Sequence, residues 1–377
     1  MAEAAETADR PVREVAILCS GVALGVYLPG LEIARGLRRH GVRGRVFVLE
    51  AFQPAEVEDA LIRARERHQR DFRALRMSQQ LVRDISPTLD AAALAALEAR
   101  LDAAGTTRLL ALSGFWLPWA AAYARERPHC ALEALHIDSV PSPSWLPYAQ
   151  RPEFAQAAHR YFIDRAAPRA AFRLEIGEAA PVAHAQRPAE LLLHGGGWSV
   201  GTFASALDDV LAAGYRASIV RGSAADLQPR AGVRNLLLDP QWRAWRDTGP
   251  EQLGEFPRLG FADADADGEL RYRQSDAVPD LFGITRASLA VVSKPGGSTL
   301  IDSMAAATPV LFLAPSGKHE QANAEAWIAL GYGAWFEQWR EQGAQREALE
   351  RMHSRLARDR AQVPEYCRRL AAELGAR

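Results

Sequence analysis

Cysteine is scarce in this 377-residue sequence. The three present, Cys19, Cys130 and Cys367, are odd in number and widely spaced. That excludes a disulfide framework or a zinc pair and fits a reducing cytoplasm. Cys19, at the end of a strand-like run, reads as a small buried hydrophobe. Charge of one sign is missing too: 45 basic residues against 46 acidic leave a net charge of -1. Such a balance gives no electrostatic footprint for nucleic acid. No apolar run approaches the roughly 20 residues of a transmembrane helix. The first ten residues, MAEAAETADR, lack the apolar core of a secretory signal, so 1–10 reads as a disordered tail. No internal repeat of solenoid or propeller length is visible.

What is present is an ordinary globular composition, 48% hydrophobic and 24% charged, over a length that suits two domains. Val12–Cys19 reads as a strand, Val26–Arg39 as a helix and Arg45–Leu49 as a second strand, a first βαβ unit. Pro54–Gly105 is helical with a break at Pro87. Its seven arginines between Arg63 and Arg83 would suit peripheral contact with a membrane surface. Interleaved acids, Glu56 to Asp84, favour a solvated face instead. Strands follow at Arg108–Leu112 and Ala131–Ile137, with a helix over Trp119–Glu126 between them. From Ala166 to Ala189 prolines multiply and periodicity fades, as in a connection between domains.

The second half repeats the alternation, with strands at Glu190–Leu193, Ala217–Val220 and Val233–Leu237 and a helix over Phe203–Ala213. A short helix, Val278–Thr285, precedes VVSKPGGSTLIDSMAAATPVLFLAPSGKHEQAN (291–323), and Glu341–Arg377 is helical and charged. The fold class is therefore α/β, with two doubly wound domains facing a cleft.

Two glycine loops carry the chemistry. Gly296 and Gly297 follow an apolar strand, with Ser298 and Thr299 able to cap the next helix, whose N-terminus suits a phosphate. HGGGW (His194–Trp198) follows another strand of the same half, and Gly196, Gly197 and Trp198 would face the same diphosphate. His-Gly-Gly-Gly is also the oxyanion-hole form of esterases, but no G-x-S-x-G elbow accompanies it; GGSTL fails at the last glycine. Asp263, Asp265 and Asp267 imitate a calcium loop, yet Gln274 stands where a bidentate Glu is needed, so Gly260–Gly268 reads as an acidic surface loop.

The stretch 291–323 resembles the donor-binding region of two-domain glycosyltransferases of the GT-B fold. It is similar to the peptidoglycan N-acetylglucosaminyltransferases, the galactolipid synthases and the macrolide glycosyltransferases. In SKPGGST, Lys294, Gly296, Gly297, Ser298 and Thr299 match the pattern that holds the donor diphosphate. Asp302 stands where those families place a ribose-binding Glu, and HEQAN supplies His319, Glu320, Gln321 and Asn323 for the donor sugar. The resemblance implies an acceptor domain over 11–180, a nucleotide-sugar domain over 189–357 and a C-terminal helix, 358–377, returning to the first.

It also implies an inverting, metal-independent transferase. A UDP- or dTDP-sugar would be its co-substrate, a small molecule or lipid its acceptor, and no cofactor would be needed. The first half departs from the pattern: Val26 occupies the place of the histidine base. Valine takes no proton. His136 and Asp138, at i, i+2 near a strand end, are the candidate replacements, against packing and turn-capping roles for the same two residues. A nucleotide-sugar-binding pseudoenzyme or a hydrolase is the alternative reading.

Overall fold

Six consecutive residues of β1 (Glu14–Cys19) are buried on both faces, the mark of a strand inside a helix-covered parallel sheet. The computed structural model describes residues 13–375 apart from 23, 167–168, 197–198, 228, 246–253, 265–269, 276–277 and 279. After β1, α1 (Leu24–Arg39) leads to β2 (Arg43–Val48). Helices α2 (Ala55–Arg70), α3 (Phe72–Gln80) and α4 (Ala91–Ala103) precede β3 (Arg108–Ala111). Then come α5 (Leu117–Glu126), β4 (Ala131–His136), α6 (Pro152–Gln156) and β5 (Ala158–Tyr161). These strands form one parallel sheet in the order β2-β1-β3-β4-β5. A two-stranded ladder, β6 (Ile163–Asp164) with β7 (Arg169–Ala170), closes the first half.

The second half opens with β8 (Glu190–Leu193), α7 (Leu207–Ala212), β9 (Arg216–Arg221) and β10 (Val233–Leu238). An antiparallel pair, β11 (Leu259–Ala264) and β12 (Leu270–Gln274), is followed by α8 (Leu281–Ala287) and β13 (Ala290–Ser293). The chain continues through α9 (Gly297–Ala306), β14 (Val310–Phe312), α10 (Lys318–Ala329) and β15 (Gly333–Trp335). It finishes with α11 (Phe336–Glu341), α12 (Arg346–Arg360) and α13 (Tyr366–Glu373). The sheet order is β12-β11-β10-β9-β8-β13-β14-β15. Strand order reverses between β8 and β13, so the loops leaving them diverge and open a crevice at the strands' C-terminal ends. The two glycine loops are the loops at that point.

Several sequence expectations are corrected. The helical region from Pro54 breaks at Asp71 as well, because Asp71 caps α3, its Oδ1 accepting from the N–H groups of Arg73 and Ala74 at 2.8 and 3.2 Å. The acidic loop over 260–268 is in part strand β11, with Asp263 opposite Arg271 on β12; its alternating pattern has the period of a strand. Asp265 and Asp267 lie outside the described residues. The proline-rich connection is packed: Phe172 and Leu174 are buried, and Arg173 pairs through its backbone with Pro364 and Tyr366. Helix α13 lies on α1, where Cys367 occupies the space a side chain at Gly36 would need. No helix among the described residues is long and apolar enough to cross a membrane.

Candidate functional site at the crevice

Chain direction fixes the cradle. Strand β13 ends at Ser293, and Lys294, Pro295 and Gly296 turn the backbone into α9. Gly296 is the N-cap and no side chain caps the helix. Ser298 and Thr299 therefore do not cap it, contrary to expectation, because α9 starts at Gly297 and both hydroxyls lie within its first turn. The helix's leading N–H groups face the crevice with the positive end of its dipole.

The HGGGW loop folds back on itself. The N–H groups of Ser199 and Val200 donate to the carbonyls of Gly196 and Gly195 at 3.0 and 3.1 Å. Gly196 adopts φ +75°, and a Cβ on Gly195 would stand 2.4 Å from the Val200 nitrogen, so each position requires glycine. Gly197 and Trp198 lie outside the described residues. The Gly196 N–H donates to His194 Nδ1 at 2.9 Å. Burial and then the nearby Lys294 charge push His194 down to about 4, so the ring stays neutral.

Lys294 joins the two loops. Side chains added at Gly196 or Gly201 would meet its Cε or Cδ at 3.9 Å, and one at Gly296 would meet its Nζ at 3.3 Å. It is one of two lysines in the sequence; a compact ammonium fits between close backbones better than a planar guanidinium. Lys294 pairs with Glu320 Oε1, while Glu320 Oε2 accepts from the Ser316 N–H at 2.6 Å. Glu320 is buried, yet Lys294 lowers its pKa in spite of desolvation. An ionised pair thus sits beside an uncapped helix start.

The first sheet closes the crevice from the other side. Beyond β4, Ile137 and Asp138 lie against α9: a Cβ on Gly297 would stand 2.5 Å from the Ile137 oxygen and 2.9 Å from Asp138 Oδ1. Asn323, fully buried on α10, binds both halves. Its Nδ2 donates to Asp138 Oδ1 at 2.6 Å and to the Pro295 carbonyl at 3.1 Å, and its Oδ1 accepts from the Ser139 N–H at 2.8 Å. Burial raises the pKa of Asp138, opposed by His319 and by the Asn323 hydrogen bond.

These features invite comparison with known structures. No protein-family model and no curated protein matches the chain. Solved structures do match over nearly its whole length. The glycosyltransferase SnogD from Streptomyces nogalater aligns at 15% identity, TM-score 0.54, over 97% of this chain and 99% of that one. SsfS6 from Streptomyces sp. SF2575, complexed with thymidine diphosphate, aligns at 13% identity and TM-score 0.55, over 96% and 99%. The spinosyn forosaminyltransferase SpnP aligns at 12% identity and TM-score 0.57, over 97% and 99%. The fold is GT-B.

Within this GT-B frame the two candidate bases part company. Strand β4 ends at His136, so strand alternation does not carry to Asp138 and the expected common side is corrected. His136 is buried against Trp145, with ring centroids 4.4 Å apart, and stacks on Tyr161 at 4.1 Å. The Phe154 carbonyl, 2.7 Å from His159 Nε2, makes that nitrogen a donor. His136 Nε2 lies 2.8 Å from His159 Nδ1, a ring-to-ring hydrogen bond. Burial, followed by His159, depresses His136 to about 3. Asp138 faces the GT-B crevice; His136 faces an aromatic cluster.

The other named positions also separate. Gln321 hydrogen-bonds Glu325 on its own helix at 2.8 Å, and His319 lies beside Gly317. Asp302 shares a pocket with Glu32 and Asp280, walled by Gly196, Val220 and Leu238. Burial and the two neighbouring carboxylates raise Asp302 well above its ordinary value. Val26 is buried in the core. Sequence reasoning missed Glu50, which follows β2 and ties down the loop after β1. Its carboxylate accepts from Ser20 Oγ at 2.7 Å and from the N–H groups of Gly21 and Val22 at 2.7 and 3.1 Å. The available signal was an acid directly after a parallel strand. Among the described residues no group of three or more His, Cys, Asp or Glu side chains could hold a metal.

Proposed function

We propose that the chain is a glycosyltransferase that moves a sugar from a UDP- or dTDP-sugar to a small-molecule or lipid acceptor in the cytoplasm. The observation that carries this reading is the convergence of two glycine loops and an uncapped helix N-terminus on Lys294, opposite Asp138. Residues 189–357 bind the donor, 11–180 the acceptor, and 358–377 ties the two together. The diphosphate lies between Gly196 and the first turn of α9, Gly296 to Thr299. Lys294 and the α9 dipole stabilise the charge that builds on it. Asp302 takes the ribose hydroxyls, and Glu320, with His319 and Gln321, orients the sugar. Gly197 and Trp198 join Gly196 in binding the diphosphate.

Asp138 is the general base. Its carboxylate accepts the acceptor hydroxyl's proton as that oxygen bonds the anomeric carbon, and the anomeric C–O bond to the diphosphate breaks with inversion. A raised proton affinity suits that task, whereas the depressed, walled-in His136 does not. Buried Val26 in the usual place of a base favours one second reading, transfer of the sugar to water. Thermal denaturation with UDP, dTDP and their sugar conjugates tests donor binding: at least one should raise the melting temperature, and no shift with any of them sinks the proposal. Product analysis with and without acceptors then separates transfer from hydrolysis.

A further inference from the structure

A second cavity, of about 1060 Å³, lies between α2 and the C-terminal ends of β9 and β10. None of the diphosphate-cradle residues lines it. We propose that this cavity is an acceptor subsite that binds an anionic group, a carboxylate or a phosphate. The word acceptor rests on the glycosyltransferase reading above; the anion does not.

Arginines converge on the cavity from separate elements. Arg65 and Arg70 come from α2, Arg243 from the segment after β10 and Arg271 from β12. Arg65 feels Arg243 directly: burial and then that like charge push it down to about 10, against the opposing pull of Glu66. Arg243 already donates through Nη1 to the carbonyls of Pro240 and Trp242 at 2.7 and 2.8 Å, and an anion beside the two guanidiniums would add charge-assisted hydrogen bonds to those they make. Planar guanidinium forks match carboxylate and phosphate oxygens.

Two buried donors supply independent evidence. Arg221, the last residue of β9, is only 8% exposed. It pairs in register with Leu237, which lines the cavity, so the two share a face of the sheet. Its buried Nε has no hydrogen-bond partner, and neither has the buried hydroxyl of Tyr272 in the cavity wall. A buried donor without an acceptor is destabilising, so Tyr272 in the cavity wall and Arg221 beside Leu237 point to an acceptor from outside the chain. The walls carry acids as well: Glu66, Asp226 and Asp239. Asp239 is occupied, its Oδ1 accepting from the Gln241 N–H at 2.9 Å. Asp226 draws on Arg221 through charge alone.

The position suits an acceptor that reaches across from the first half, because α2 supplies Arg65, Glu66, Gln69 and Arg70 while the rest of the lining comes from the second half. The cavity sits at the ligand-binding end of the parallel strands. A side chain at Gly222, on its rim, would meet Gln69 of α2 at 2.5 Å and Ser199, just after the first glycine loop, at 3.3 Å. A molecule anchored there by its acid group has its remainder directed toward the cradle.

The test is calorimetric titration of inorganic phosphate, and in parallel succinate, into protein already saturated with dTDP. One anion should bind with dTDP in place. Arg65→Gln and Arg243→Gln should each weaken it tenfold or more, Arg65→Lys less, and Tyr272→Phe, the mildest change, about threefold. The dTDP affinity should stay unchanged throughout. Preference for phosphate or for succinate assigns the class of acceptor acid. No anion binding in the presence of dTDP, or binding indifferent to both Gln variants, overturns the proposal. If dTDP itself fails to bind, the donor reading falls, and the same titration without dTDP still judges the cavity by the same variants.

Discussion

Replacing Glu32 by glutamine should stabilise the protein at alkaline pH and leave it unchanged in acid. Glu32 lies on α1 with Asp280 and Asp302 in one largely apolar pocket, and it is 7% exposed. Burial is the main cause that pushes it from 4.5 up to about 7; Arg35 and Arg39 oppose the shift and Asp280 adds to it. Between pH 4.5 and 7 the folded state holds a proton that the unfolded state has released. Stability therefore falls as pH rises through that window and stays low above it. About 2.5 pH units at 1.36 kcal/mol each set an upper bound of about 3 kcal/mol. Glutamine resembles the protonated carboxyl and carries no such penalty. Urea unfolding at pH 4, 6 and 8 should show Glu32→Gln equal to the parent at pH 4, and more stable by up to about 3 kcal/mol at pH 8. An advantage of equal size at both extremes, or a loss at pH 8, refutes the reasoning.

Asn323→Leu keeps the branched outline but strands the Asp138 carboxylate and the Ser139 N–H, each buried. At about 1–3 kcal/mol per orphaned group, unfolding free energy should fall by about 2–6 kcal/mol; a loss below 1 kcal/mol in urea means the two halves are not latched there. Glu320→Gln removes the partner of Lys294. Because Lys294 depresses Glu320 below 4.5, the parent's advantage should be full above pH 4.5 and fade as pH falls further, as read by melting temperature against pH. Equal melting curves at neutral pH count against the pair. Asp138→Asn should abolish the acidic limb of the pH–rate profile, whether the product is a glycoside or free sugar, and cut the rate about 10²–10⁴-fold. His136→Phe should leave that limb in place, and the opposite pattern restores the histidine.

How much the sequence showed depended on whether a feature was local. VVSKPGGST is legible because strand, turn and helix start are neighbours in the chain, and each residue type has a local reason for its place. Reading β5 or β15 needed pairing partners, since strands of four and three residues give too little pattern. The break at Asp71 was a local cap that charge counting hid.

The sequence by itself determined an α/β chain of two alternating halves and the glycine loop that turns β13 into α9. Those are properties of short-range pattern and backbone freedom. Only the tertiary structure decided what faces that loop. It buried His136 among aromatic rings and turned Asp138 toward Gly297, although only Ile137 separates them. It spent Asn323 on joining the halves, and it gathered arginines from α2, β12 and the segment after β10 around one cavity. The physical reason is common to all three. Proton affinity, hydrogen-bond satisfaction and charge repulsion depend on burial and neighbours: Asp138 meets Asn323 and Arg65 meets Arg243 from distant parts of the chain, while His136 is ringed by Trp145, His159 and Tyr161 from the elements that follow it.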